Sequence, residues 1–234
     1  MRTRPNRDLL RKTIVAGGAS ITTPTSFWNL NQSSGSSRTD SCSNPADLTV
    51  TGTVTQVSGK ISNAASVASG SNVLVNSGNT KNSVSGQFSF CTWFNLNNSA
   101  GGTAIANGAG FGGGWKLDIS TTHIILTTLQ SPSGTTSLDK SVSLSTGTWY
   151  FVVGYFNGSQ FGLSLDGGSF TTGAGTAPGS VVGIELLNTN AGSNALQGAM
   201  DECGYWVGYT LTSTEKDNLY NSGTGKTFNG SSWV

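Results

Sequence analysis

GTWYFVVGYFNGSQFGLSLDGG, residues 147–168, reads as two β-strands with the turns that bound them. From Trp149 to Tyr155 the chain is apolar without a polar break, the pattern of a strand buried on both faces. Asn157-Gly158 then predicts a tight hairpin, because a two-residue turn that follows the twist of its strands needs positive φ at both central positions and these residue types tolerate it. On the return, Phe161, Leu163 and Leu165 alternate with small or polar neighbours, the period-2 pattern of a strand with one face in a core. Asp166-Gly167-Gly168 supplies the next turn.

Outward from this hairpin, similar signals recur at the spacing of an antiparallel sandwich. Leu48-Thr49-Val50 and Thr53-Val54-Thr55 alternate upstream, as do Phe88-Ser89-Phe90 and Trp93-Phe94 within residues 87–96. Val181–Leu187 and Met200–Val207 are the remaining strong strand candidates. Thr212-Ser213-Thr214-Glu215 predicts a helix, since Thr212 can accept the free N–H groups of the first turn while Glu215 reaches back to it, and Gly223 follows an end near Tyr220. Residues 31–46, rich in Ser, Asn and Gly, read as a loop. No internal repeat is present.

Composition agrees with many short strands and tight turns. Only 10% of the 234 residues are charged, 33 are glycine, and there are three glutamates. Six Trp and ten Phe supply large apolar surfaces for a core. Net charge is +1, but Arg2, Arg4, Arg7, Arg11 and Lys12 crowd the start with Asp8 as their sole acid, which leaves the body with seven basic and ten acidic residues. Such a body is unsuited to gripping a phosphate backbone, so nucleic acid is excluded as its partner. Cys42, Cys91 and Cys203 show neither a C-x-x-C spacing nor an even count, and buried thiols are expected. No run is long and apolar enough for a membrane span.

Residues 1–20 are expected to form a basic arm, with a short helix after Asn6 too brief to persist alone. Arg4, Arg7 and Arg11 are its candidate docking residues, received by an acidic groove on another subunit or on a neighbouring copy in a homo-oligomer; the alternative is an untethered tail. Residues 13–18 are too short and glycine-rich for a signal-peptide core. An adhesive composition beside that N-terminus suggests a bacteriophage virion protein released by lysis, the alternative being an extracellular protein.

The order of elements resembles the laminin-G-like jelly rolls of the concanavalin A-like lectin family. Gly147-Thr148-Trp149-Tyr150-Phe151-Val152-Val153 is similar to that family's Gly-x-Trp-aromatic-x-Val strand, and Leu163-Ser164-Leu165-Asp166-Gly167 to its Leu-x-Val-Asp-Gly hairpin. Residues 198–205 are similar to its closing Gly-x-Ile-Asp-Glu-Val strand, and the stretch through Leu219-Tyr220-Asn221 to its following helix. Trp93 matches a core tryptophan, while Trp28-Asn29-Leu30 and Gly59-Lys60-Ile61-Ser62-Asn63-Ala64 fit a weaker N-terminal signature. Cys203 and Gly204 depart from the family's usual apolar and charged residues. The resemblance spans about residues 25–226 and implies an all-β, two-sheet antiparallel jelly-roll sandwich over residues 21–234 with one short C-terminal helix. Its function stays open, because one sandwich carries lectins, adhesion modules, enzymes and virion decorations.

The expected function is a non-enzymatic interaction domain on a virion surface that binds host glycans or decorates capsid or tail beside other virion subunits; a carbohydrate-active enzyme or a secreted lectin module are the alternatives. A glycosidase needs two carboxylates facing one sugar. Asp201 and Glu202 adjoin in a strand, so their side chains are expected on opposite faces. Lyase or sialidase chemistry would need arginines and histidines, and the body has Arg38 and His123 alone, with His123 read as a strand-end surface residue. Gly108-x-Gly110-x-x-Gly113 lacks a surrounding βαβ unit and reads as a hairpin loop. The resemblance implies a structural calcium with Asp201 as ligand, against the alternative that Asp201 accepts backbone hydrogen bonds. Trp93 and Trp149 are read as packing. Trp115, flanked by glycines, together with Trp206 and Tyr209, are the candidate ligand-binding aromatics, with capping of the core as the competing reading of Trp115.

Overall fold

The computed structural model describes residues 20–68, 70, 72–108, 113–130, 134–189 and 194–234; residues 1–19 of the arm, with Arg4, Arg7 and Arg11, lie outside them. In chain order the strands are β1 (Ser26–Trp28), β2 (Ser37–Arg38), β3 (Leu48–Thr51), β4 (Thr55–Ser58), β5 (Asn63–Val67), β6 (Val73–Asn76), β7 (Phe88–Leu96), β8 (Gly102–Asn107), β9 (Gly113–Ile119), β10 (His123–Gln130), β11 (Gly134–Ser141), β12 (Trp149–Phe156), β13 (Gln160–Leu165), β14 (Thr171–Ala174), β15 (Ile184–Leu186) and β16 (Gly198–Val207). One α-helix, α1 (Ser213–Tyr220), follows. The strands form two eight-stranded antiparallel sheets. The first runs β14-β13-β12-β7-β16-β5-β4 with β1 also on β16, and the second runs β11-β10-β9-β8-β15-β6-β3-β2. This is the expected jelly-roll sandwich.

Between the sheets, alternate residues of both interdigitate. Trp115 of β9 stacks on Phe88 and Phe90 of β7 with ring centroids 4.6 and 4.9 Å apart. Leu117, Leu126, Ile105 and Leu74 line the same core from the second sheet, and Val152, Phe156, Met200 and Cys203 from the first. The first sheet is buried on its outer face as well. There Trp93, Phe151, Val153 and Trp206 pack beneath Leu211 and Leu219, and Tyr220 stacks on Trp93 at 5.8 Å. This second layer is why β12 carries apolar residues at successive positions rather than in alternation.

The turns hold one correction. In the hairpin between β12 and β13, positive φ falls on Gly158 (+103°) and not on Asn157. Asn157 stands at the corner instead, its backbone N–H donating to Gln160 O and its side-chain oxygen accepting from the N–H groups of Ser159 and Gln160. The central pair is therefore Gly158-Ser159, with glycine at the position that demands it. Asp166 and Gly167 both take positive φ, as a two-residue turn of that type requires. Helix α1 begins as expected, with a complete Thr212–Glu215 capping box, and ends on Asn221 in the left-handed conformation. Strand β15 occupies only the second half of the expected 181–187 segment, and β4 starts at Thr55 where the expected strand ends.

Strand β16 contains the feature that alternation could not supply. One edge pairs with β7 throughout, while the other pairs with β5 over Gly198–Met200 and with β1 over Cys203–Tyr205. At the change of partner, Asp201 lies opposite Trp93 and Gly204 opposite Cys91, so Glu202 and Cys203 together face the single residue Thr92. Glu202 absorbs the extra length with φ +51°, a β-bulge. Gly204 is explained by its neighbours: a Cβ there would come within 2.8 Å of the Trp206 ring and 3.1 Å of Cys91 Sγ.

Candidate binding face

The two outer faces differ. That of the first sheet is covered by α1 and by the C-terminal segment, where Phe228 and Trp233 pack on Phe27 and Trp233 stacks on Trp206. On the outer face of the second sheet, registers place one residue of every strand side by side: Ser37, Thr49, Val75, Glu185, Ala106, Lys116, Thr127 and Ser137. Their chain neighbours Leu48, Leu74, Ile184, Leu186, Ile105, Leu117, Leu126 and Leu138 belong to the core, so this row points away from it. It is mostly polar and spans the sheet, but Val75, Glu185, Ala106 and Thr127 in it are buried, so that Ser37 and Thr49 at one end and Lys116 and Ser137 toward the other carry its accessible surface.

A second row, Thr103–Asp118–Ile125–Asp139, runs beside it over β8 to β11. Where β9 turns into β10 this row borders a cleft of about 180 Å³ lined by Ala100, Asp118, Ser120, His123, Ile125 and Asn194 among others. Its polar groups are tied to one another. Thr103 Oγ1 donates to Asp118 Oδ1 at 2.6 Å, and Asn194 Nδ2 donates to Thr103 Oγ1 at 3.1 Å. Lys116 Nζ pairs with Asp118 Oδ2 at 2.7 Å, and His123 Nδ1 with Asp139 at 2.9 Å. Of these, the sequence marked only His123, as a strand-end surface residue. The partner carboxylate that sequence proximity did not reveal is Asp139, sixteen residues on and brought near by the β10–β11 ladder.

The three aromatics chosen from sequence lie elsewhere. Trp115 is in the middle of the sandwich with no exposed surface, so it offers no ring to a ligand; Gly113 and Gly114 before it begin strand β9. Trp206 is also buried, donating its indole N–H to Thr22 O at 2.9 Å. Tyr209 is half-buried and donates its hydroxyl to Glu215 Oε2 at 2.9 Å. Glu215 Oε1 accepts from Thr22 N and Oε2 from the N–H and hydroxyl of Thr212. Burial alone would raise its pKa, but these hydrogen bonds hold it down at about 2. Trp206, Tyr209 and Glu215 thus clamp the entering chain to the helix, and the structure does not gather them with Trp115 into one site.

Asp201 and Glu202 are both buried, and the bulge overturns the expectation that they face opposite sides. Asp201 points to the outer face with Trp93, Cys203 turns into the core, and Glu202 bulges out between them near Thr227 of the C-terminal segment. Burial raises Asp201 to about 7 against the opposing backbone N–H groups of Ile61, Lys60 and Glu202. Burial and then the charge of Asp201 raise Glu202 to about 9. Asp201 Oδ1 and both carboxylate oxygens of Glu202 lack well-formed hydrogen bonds.

The residues do not fit the calcium that the resemblance implies. Asp201 Oδ2 is taken by an N–H donor, Ile61 N at 2.8 Å, which a cation in that place would repel. No cluster of three or more acidic, His or Cys side chains suited to a metal exists among the described residues, whereas calcium needs six or more oxygens. Cys42, Cys91 and Cys203 are free and buried, as expected. No helix among the described residues is long and apolar enough to cross a membrane.

Comparison with known proteins places this geometry. The pattern of the Concanavalin A-like lectin/glucanases superfamily matches residues 67–215. Among solved structures, domain 4 of AbnA, a GH43 extracellular arabinanase from Geobacillus stearothermophilus, solved in complex with arabinotriose, is similar with a TM-score of 0.65 at 16% identity over 84% of this chain and 97% of that one. The binding domain of botulinum neurotoxin serotype G has a TM-score of 0.66 at 14% identity, covering 85% of this chain and 50% of that one. The binding domain of botulinum neurotoxin DC in complex with SialylT has a TM-score of 0.58 at 17% identity over 84% and 50%. The chain therefore spans about half the length of these neurotoxin binding domains, and at such identities the likeness concerns the fold. A search of curated protein sequences returns no match. Matched over more than half its length, in the order its strands and helix require, the chain belongs to the Concanavalin A-like lectin/glucanases superfamily.

Proposed function

We propose that this protein is a non-enzymatic glycan-binding domain that presents the β9–β11 side of the outer face of its second sheet. The observation that carries the reading is the polar patch that stays accessible on strands β9 to β11, where Lys116, Asp118, Ile125, Ser137 and Asp139 lie beside a cleft, while α1 and the C-terminal segment cover the first sheet and the middle of the second sheet's outer face is buried. Solved relatives of this fold in complex with arabinotriose and with SialylT support the ligand class.

The carboxylates argue against hydrolysis. All three glutamates are buried, at 6%, 1% and 4% exposure for Glu185, Glu202 and Glu215. Asp118 and Asp139 flank Ile125 on the β9–β11 patch, roughly 10 Å apart by strand spacing, but each is engaged by a neighbouring side chain, Asp118 by Lys116 and Asp139 by His123. A panel of immobilised glycans tests the reading: binding without release of reducing ends is expected, and release from any polysaccharide overturns the non-enzymatic part.

Display on a phage particle is the setting we propose, supported by the crowding of five cations into the first twelve residues against an acidic body. In that setting Arg4, Arg7 and Arg11 dock the arm to a neighbouring subunit. Deleting residues 1–18 should leave the melting temperature unchanged and abolish incorporation into particles; unchanged incorporation refutes the docking role.

A further inference from the structure

The geometry points to the cleft at the β9–β10 turn as a subsite for one neutral, hydroxyl-rich sugar ring, with Asp118, Asn194 and His123 as its polar contacts and Ile125 as its apolar wall. This inference rests on the glycan-binding reading and narrows it to a place and a ligand class. A cavity of about 180 Å³ is of the size of a single ring rather than an extended chain.

The polar groups around it are already oriented. Asp118 is held from two sides, by the Thr103 hydroxyl on Oδ1 and by Lys116 on Oδ2, which fixes its plane while Oδ2 keeps a second lone pair. Asn194 spends its amide hydrogens on Thr103 Oγ1 at 3.1 Å and toward Asp118 Oδ1 at 3.5 Å, which leaves its carbonyl oxygen to accept. His123 contacts Asp139 through Nδ1, so with the proton on that nitrogen its Nε2 is an acceptor. Three acceptors fixed around one cleft call for a ligand that brings several donors, which is what sugar hydroxyls are. Exposed ion pairs of this kind add little to stability, so their ordering is of more use to recognition than to folding.

Charge sets the class. Asp118 is the acidic side chain that lines the cleft, and the body as a whole has more acids than bases, so a sialic or uronic carboxylate would meet acceptors and negative charge. Ile125 lies between Asp118 and Asp139 in the lateral row and is partly exposed, positioned to meet the C–H face of a ring.

The test is a glycan array of matched neutral and sialylated or uronate glycans, probed with the wild-type chain, D118N, N194A and the control K226A on the C-terminal segment, with melting temperatures recorded for each. Neutral glycans should predominate among those bound, and D118N and N194A should each weaken binding at least about tenfold, the scale of one lost hydrogen bond to a charged or buried partner, with melting temperature unchanged. Binding retained by both variants, or a preference for anionic glycans, overturns the subsite while leaving glycan binding by the face intact. Absence of binding to every glycan overturns the broader reading and the subsite with it. A variant that lowers the melting temperature is judged by the other, since Asn194 and Asp118 lie on different segments.

Discussion

Trp115 donates its indole N–H to the hydroxyl of Tyr205 at 3.2 Å, joining the two sheets through the middle of the core. Both groups are fully buried, and burial pushes the Tyr205 phenol above its ordinary pKa. Around the bond, Trp115 stacks on Phe88 and Phe90. W115A should therefore destabilise the fold by about 3–5 kcal/mol, the range for a large aromatic lost from a packed core. W115F should cost less but still leave the tyrosine hydroxyl unpaired. Denaturant titration measures both, and a stability unchanged in W115A would mean that the ring is not packed as described.

The Asp201–Glu202 pair makes stability depend on pH at the alkaline end. Both carboxyls have folded-state pKa values above their ordinary range, so the folded state binds more protons than the unfolded chain between about pH 4 and 9. Stability from this pair is then full below about pH 4 and declines as pH rises through 7 and toward 9. Each tenfold gain in proton affinity on folding corresponds to about 1.4 kcal/mol. Thermal melts from pH 5 to 9 should show a falling melting temperature in the wild type and a shallower fall in E202Q, which cannot ionise. Parallel slopes for the two proteins would contradict the assignment.

At the acid end Glu215 acts in the opposite sense. Its folded pKa lies below the ordinary value, so its contribution is present above about pH 4.5 and is lost as pH falls toward 2. E215A removes the capping box and leaves Thr22 N and the Tyr209 hydroxyl without their acceptor. A loss of about 2–3 kcal/mol at pH 7, shrinking below pH 4, is expected from urea titrations.

Chelation should do nothing to the melting temperature. The N–H donor on Asp201 and the absence of a third acidic side chain nearby among the described residues leave calcium without a shell. A melt in EDTA that matches one in millimolar calcium agrees with this, because an ion bound only by the native state would raise the transition. A rise with calcium, abolished in D201N, would restore the metal.

The sequence showed the fold wherever local chemistry and global structure agreed. The β12–β13 hairpin, the capping box and the closing strand were legible because apolar period, turn residues and caps sit close together along the chain. Strands β8 to β11 were not singled out, since Thr, Ser and Gly dominate one face of them and weaken the alternation. Trp115 was misplaced for the same reason: three glycines before it imitate a loop, yet Gly113 and Gly114 pack against the 179–181 segment at the start of β9. The candidate site was nearly invisible. Asp118, Asp139, Asn194 and His123 come from separate segments and meet only through strand register, and the Glu202 bulge arises from a change of pairing partner that no local pattern encodes.

Mapping by backbone amide shifts tests the central claim most directly. A glycan retained by the array would be titrated into the isotopically labelled protein and the perturbed amides assigned. The account predicts that they cluster on β8, β9, β10 and β11 and around Asn194, with the amides of α1 and residues 224–234 unmoved. Perturbations confined to the helix-covered face, or spread without a centre, would contradict it.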